Sequence, residues 1–209
     1  RGRELAANHA EGIFALATSP KQMREFCDDI AARAERHGRD PRKIHILWAA
    51  LPIVAETESE ARARQQEVRE RIPIEASLAL LSGHLNIDLK NLDIDKPAGS
   101  LQVTGLQSAL DAYKQTNPDI TLRDMANSYL SSANDSGPMV GSASQVADHL
   151  VYLLEEGGGA GFQFSPSYYA PDYFLDINKT LIPELQKRGV YRTEYDGKTL
   201  RDYMNETGG

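Results

Sequence analysis

Short, nearly all-apolar runs alternate along this chain with amphipathic helical patterns, and this rhythm limits the fold more than any other feature. Strand, helix, strand, helix with short connections is the repeating unit of a parallel sheet, in a (β/α) barrel or a doubly wound layer. Gly2 to Ala10 reads as a helix. Gly12 to Thr18 (GIFALAT) reads as a strand, apolar throughout as expected of one buried on both faces. Ser19-Pro20 with Gln22 then signals a helix start, with a Ser cap, Pro in the first turn and Gln at the third position. Met23, Phe26, Cys27, Ile30, Ala31 and Ala34 follow at spacings of three and four, giving one apolar stripe. Gly38 ends this helix and Asp40-Pro41 turns the chain. Ile44 to Ala55 (IHILWAALPIVA) is the longest apolar run and reads as a central strand. Pro52 has no N–H for the ladder, so the regular strand should end or bulge there. Thr57 to Glu60 is a capping box opening a charged helix that runs to about Ile72.

Pro73 to Gly137 breaks the rhythm and reads as a lid-type insertion, because long insertions in compact α/β units commonly cover or line a site. Helical pieces are expected near Ser77–Leu81, Gln107–Tyr113 and Thr121–Leu130, with Asn86–Gly99 as extended loop. The rhythm returns with Met139-Val140-Gly141 and a helix from Ser142 to Glu156. A Gly157–Gly159 stop and the strand Gly161–Ser165 follow. A last helix from about Asp172 to Arg188 should kink at Pro183, and a polar, Tyr-containing tail runs from Gly189 to Gly209.

Composition removes several classes of function. The net charge of −7 disfavours a nucleic-acid surface. The one cysteine, Cys27, excludes an intrachain disulfide and a thiolate metal cluster, and a reducing cytoplasm is the expected compartment. No apolar run approaches the roughly 20 residues that span a bilayer.

Several stretches carry a resemblance through their order and spacing. They are Gly2-Arg3-Glu4-Leu5-Ala6-Ala7 with His9-Ala10-Glu11, His37-Gly38-Arg39-Asp40-Pro41, and Glu56-Thr57-Glu58-Ser59-Glu60-Ala61. Leu80-Leu81-Ser82-Gly83, Ile87-Asp88-Leu89 and Val140-Gly141-Ser142 with Gln145-Val146-Ala147-Asp148 continue the set. Gly161-Phe162, Ile182-Pro183-Glu184-Leu185-Gln186, Arg192-Thr193-Glu194-Tyr195 and Thr199-Leu200-Arg201 complete it. Together they resemble the bacterial luciferase-like FMN-dependent monooxygenases, in the branch acting on nitrilotriacetate, EDTA, dibenzothiophene sulfone and long-chain alkanes. The resemblance implies an α/β fold: the C-terminal part of a TIM (β/α)8 barrel. Residues 1–209 would supply about three βα units, with a lid-type insertion at about 73–137. It also implies reduced FMN delivered by a separate NAD(P)H:flavin reductase, dioxygen, a small organic substrate, and a homo-oligomer when the protein is full length. Most of the flavin site would lie in an N-terminal half outside this sequence, including paired phosphate-binding serines just before Gly2-Arg3. The chain alone is then expected to be inactive.

Site candidates follow from both lines of reasoning. His84, at the start of the insertion, is the acid/base candidate, because imidazole titrates near neutral pH. A surface or helix-end histidine is the competing reading. Gly2 and Arg3 are candidates for the FMN phosphate by resemblance, since helix N-termini favour anions; Arg3 reads equally as a solvated helix residue. Tyr168 and Tyr169 follow the last strand, at the barrel end where sites are built, and are substrate-pocket candidates. Trp48 is a third pocket candidate, with core packing as its alternative. His45 reads as structural, His9, His37 and His149 as solvated, and Cys27 as core. No metal site is expected, because Asp88, Asp93 and Asp95 lack the glycine and terminal Glu of a calcium loop. Gly157 to Gly161 mimics a dinucleotide loop but follows a helix and precedes a strand, so a helix stop and tight turn is expected. Two other functions fit the residues: a deazaflavin- or flavin-dependent oxidoreductase on the same scaffold, and a non-catalytic half-barrel binding module.

Overall fold

The computed structural model describes residues 2–17, 19–89, 92–98, 117, 119–127, 137–167 and 170–206. It divides into two compact units, Arg1–Ala61 with Pro138–Gly209, and Arg62–Gly137.

In the first unit, α1 (Gly2–His9), β1 (Gly12–Ala15), α2 (Pro20–Arg36), β2 (His45–Ala50) and β3 (Ile53–Ala55) follow in order. Helix α3 (Glu58–Arg71) starts here, and after the second unit come β4 (Val140–Ser142), α5 (Ala143–Gly157) and β5 (Gly161–Phe164). The start signals read from sequence are present as hydrogen bonds. Ser19 Oγ accepts from the Gln22 amide, and Thr57 and Glu60 exchange side-chain and backbone bonds. Ser142 and Gln145 form the same reciprocal box at α5, the Ser142 amide donating to Gln145 Oε1 at 2.9 Å. Losing such a cap costs about 1 kcal/mol, so Ser142→Ala should lower thermal stability by that amount, measured as a shift in unfolding midpoint.

Strands β1, β2 and β5 form a parallel three-stranded sheet in the order β1-β2-β5. Gly12 sits opposite His45, and Leu47 opposite Gly161. One face is packed. Ile13, Ala15, Ile46 and Trp48 meet Met23, Ile30 and Ala34 of α2 in one core cluster. Ala50 joins Val146, Ala147 and Leu150 of α5 in a second. The other face is open: Phe14 is 55 % exposed and Leu16 78 %. The expectation that the first strand is buried on both faces is therefore corrected. Side chains alternate along a strand, and helices among the described residues cover only one side.

The run Ile44–Ala55 does not make one strand either. Leu51 and Pro52 interrupt it, and β3 pairs with β4 in a separate two-stranded sheet, Ile53 opposite Val140. Pro52 cannot donate to a ladder, and this is where the chain changes sheets. The last helix also departs from the reading of one kinked rod. It runs as α6 (Ala170–Asp176), a π turn (Ile177–Leu181) and α7 (Ile182–Lys187). The Ile182 amide reaches back five residues to the Ile177 carbonyl, placing the widened turn directly ahead of Pro183, which has no N–H to give. Gly189 then takes a left-handed φ of 72° and ends the helix.

The polar tail is structured as well. Thr199 and Asp202 cap a helix α8 (Leu200–Glu206), and Arg201 makes a bidentate ion pair with Glu11 at 2.9 Å through both nitrogens. Arg192 lies over the edge-to-face pair Tyr195 and Tyr203, 5.3 and 4.8 Å from their ring centroids. Aromatic cover of a guanidinium, rather than hydrophobic periodicity, orders this segment.

The second unit contains most of α3, then α4 (Ile74–Leu85) and a short helix at 122–127. Helix α4 is longer than the piece expected at Ser77–Leu81 and ends at Asn86, whose φ is 51°. Leu81, Leu85, Leu89, Ala98, Ile120, Leu122 and Met125 form its core, so part of the segment expected as extended loop is packed. Thr121 and Asp124 cap the short helix by exchanging backbone and side-chain bonds. The expected helix at Gln107–Tyr113 lies outside the described residues.

Candidate active site

Parallel sheets of this kind build sites at the carboxyl ends of their strands. Those ends are Ala15, Ala50 and Phe164. Beyond them, the Ser165 amide donates to the Ala50 carbonyl at 3.0 Å and Ser167 Oγ to the Leu51 carbonyl at 3.3 Å, tying the exits of β5 and β2 together. The open face below is a floor made by Phe14, Leu16, Leu47, Ala49 and Gln163. Leu47 registers with Phe14 on one side and with Gly161 on the other, and Ala49 registers with Gln163. These side chains are apolar or neutral. Such a floor can seat an organic molecule and exclude water, and it leaves proton transfer to groups elsewhere.

Trp48 points to the opposite face. Its ring is 2 % exposed, its Nε1 donates to the Gly158 carbonyl at 2.8 Å, and Phe26 meets it edge-on at 5.6 Å. That is the core placement weighed in the sequence. Gly158 and Gly159 have φ of 78° and 107°, so the glycine run forms the helix stop and turn, and its backbone presses against the indole.

Arg3 reaches the same aromatic pair from α1. Its guanidinium lies 4.7 Å above the Phe26 ring and bonds Asp29 at 2.9 Å. Arg3 and Trp48, both candidates from sequence, are thus joined through Phe26. Phe26 was read only as part of a helix stripe, and nothing in its spacing distinguishes it. Gly2, at the helix start, has open space around it.

Helix α1 is fastened to α2 by charge. Arg33 bonds Glu4 at 2.6 Å and Asp29 at 2.8 Å, and His37 Nε2 contacts Glu4 at 2.7 Å. The Arg33 hydrogen bond, with help from His37, holds the Glu4 carboxyl below its ordinary range. The Arg3 bond does the same for Asp29. A carboxylate with a lowered folded pKa adds stability above its unfolded pKa and loses it as pH falls through the folded value. The attachment of α1 should therefore weaken on acidification below about pH 4.5, the ordinary value for Glu4. Arg33→Ala should flatten that dependence, measured by unfolding midpoints from pH 7 to 3.

His84 occupies the last turn of α4 in the second unit, exposed, beside Ser82, whose hydroxyl donates to the Ile87 carbonyl at 2.5 Å. Gly2, Arg3 and Trp48 belong to the first unit. Tyr168 and Tyr169 lie outside the described residues. His45 is buried at the start of β2, and burial keeps the half-buried His149 below its usual pKa rather than solvated as expected. Cys27 is half-buried, and burial raises its thiol pKa. Among the described residues no group of three or more His, Cys, Asp or Glu could hold a metal ion. None of their helices is long and apolar enough to cross a membrane. A cavity of about 300 Å³ opens at the amino ends of the strands, lined by Glu11, Arg39, Lys43, His45, Arg201 and Met204.

The family model for luciferase-like monooxygenases matches residues 1–161. Nitrilotriacetate monooxygenase component A of Aminobacter aminovorans is 34 % identical over 97 % of this chain and 46 % of its own length. Dibenzothiophene-sulfone monooxygenase of Rhodococcus erythropolis is 31 % identical over 98 % of the chain and 46 % of its own. The crystal structure of riboflavin lyase with modified FMN and riboflavin superposes with a TM-score of 0.80 at 27 % identity, covering 98 % of this chain and 45 % of that one. The chain spans about half the length of the curated relatives it matches. The matching pattern and the parallel sheet agree, and the chain belongs to the luciferase-like monooxygenase family.

Proposed function

We propose that this chain is the C-terminal part of a two-component monooxygenase that oxygenates a small organic substrate with reduced FMN and dioxygen. The observation that carries this reading is the match along 97 % of the chain to a relative named as a monooxygenase component. An N-terminal half, which would close the open face of the sheet into a barrel, and a separate flavin reductase complete the system.

The residues present fit one part of such a cofactor. The start of α1 is open at Gly2, and its free N–H groups favour a phosphate. Arg3, in the first turn, keeps N–H groups beyond the one it gives to Asp29, and the acid there, Glu4, is already paired with Arg33 and His37. When bound, reduced FMN supplies the oxygen activation. The chain's own residues bind, orient and exclude water. Phe26, held between Arg3 and Trp48, fixes the angle at which α1 presents Gly2. Phe14, Leu16 and Gln163 form the pocket floor; Tyr168 and Tyr169, outside the described residues, are the further substrate contacts expected from the sequence. His84 moves a proton at its imidazole.

The test is oxygen consumption by the longer protein that contains this chain, with a flavin reductase, NADH and FMN. Substrate-stimulated uptake with FMN is expected. No uptake, or binding of a deazaflavin in preference to FMN, overturns the reading in favour of a non-oxygenating reductase. His84→Ala should lower kcat by about 10²-fold or more with KM little changed. An unchanged kcat would remove His84 from the chemistry.

A further inference from the structure

We propose that the cavity at the amino ends of the strands binds a small oxyanion of the phosphate class, and that the bound ion locks α8 onto the sheet. The proposal rests on charge and geometry at that end of the fold and is independent of the monooxygenase reading.

Three of the lining side chains are cationic, Arg39, Lys43 and Arg201, against one carboxylate, Glu11, with His45 beside them. The chain as a whole carries −7, so a local surplus of positive charge runs against its composition. The surplus is not consumed by internal pairing. Among the described residues Glu11 is matched by Arg201 alone, through two bonds of 2.9 Å. Arg39 spends two donors on the Ala7 and Ala10 carbonyls, at 2.7 and 2.6 Å, where α1 ends; carbonyl dipoles leave its formal charge uncancelled. Lys43 makes no ion pair with a described residue. The carboxylate acting on it from a distance, Asp40, is itself bonded on both oxygens by Arg42 at 3.0 Å.

The donors are also held in place. Arg39 is fixed by the end of α1 and Arg201 by Glu11, and each guanidinium keeps N–H groups beyond those it has used. Lys43, exposed on the turn of Pro41–Lys43, supplies a movable third cation. A cavity of about 300 Å³ takes a phosphate with attached waters or a small substituent. An anion there would relieve repulsion among the three cations and bridge Lys43, beside β2, to Arg201 of α8. The Glu11 carboxylate opposes entry of an anion, and its pairing with Arg201 reduces that opposition.

The test uses the longer protein that contains this chain, titrated with inorganic phosphate by calorimetry, alongside thermal unfolding in phosphate and in chloride at equal ionic strength. Stabilisation by phosphate beyond chloride is expected, in the presence of saturating FMN as well as in its absence. Lys43→Glu, at an exposed position that folding tolerates, should weaken phosphate binding by about tenfold or more, while Lys43→Arg retains it. Phosphate stabilisation that FMN abolishes and Lys43→Glu leaves intact would place the ion at a flavin site and overturn the proposal. Equal midpoints in phosphate and chloride would also overturn it.

Discussion

Gly159→Ala should lower the unfolding midpoint by roughly 10 °C, a loss on the order of 2–5 kcal/mol. Two costs combine. The φ of 107° belongs to a region that side chains rarely adopt. A methyl group would also overlap the indole nitrogen of Trp48 and stand 3.1 Å from the Ile46 carbonyl. Neither neighbour has room to retreat: Trp48 is held by Phe26 and by the Gly158 carbonyl, and the Ile46 carbonyl accepts from the Ala160 amide. Trp48 is the only tryptophan in the chain, so its fluorescence should shift with the same substitution. A midpoint within about 2 °C of the parent would show that this turn relaxes freely, against the packing described.

The second large effect concerns the open face. Phe14→Asp with Leu16→Asp should leave the packed face of this chain intact, because both side chains point away from the helices. On the function proposed above, the same pair in the longer protein should abolish oxygen consumption and flavin binding, by more than about 100-fold. A carboxylate placed in an apolar barrel interior costs several kcal/mol. Circular dichroism and flavin titration of the same sample separate the two outcomes. Retained flavin binding would mean that this face is not the inside of a completed barrel.

How much of this was legible depended on how local the physics is. Ser19 and Thr57 each declare a helix within four residues, and each cap forms as its spacing predicts. The parallel order followed from alternating strand and helix patterns. The fate of Ile53 was not legible, because pairing with Val140 is a contact between distant segments that no window around Pro52 contains. Helix α8 was missed because its stability comes from Thr199, Asp202 and the Glu11 pair, not from an apolar stripe. Of the site, sequence reached Arg3 and Trp48 singly, but their junction at Phe26 required geometry. Gln163 was hidden by its setting in an otherwise apolar strand.

The Glu11–Arg201 pair joins residues 190 positions apart. Loop closure on that scale cannot precede synthesis of α8, whereas β1, α2 and β2 can pair within a short stretch of nascent chain. The amino ends of the strands are thus among the last parts of the first unit to be sealed. Until then Glu11 stands without the arginine that pairs with it in the finished fold, so this end of the sheet is completed by the segment made latest.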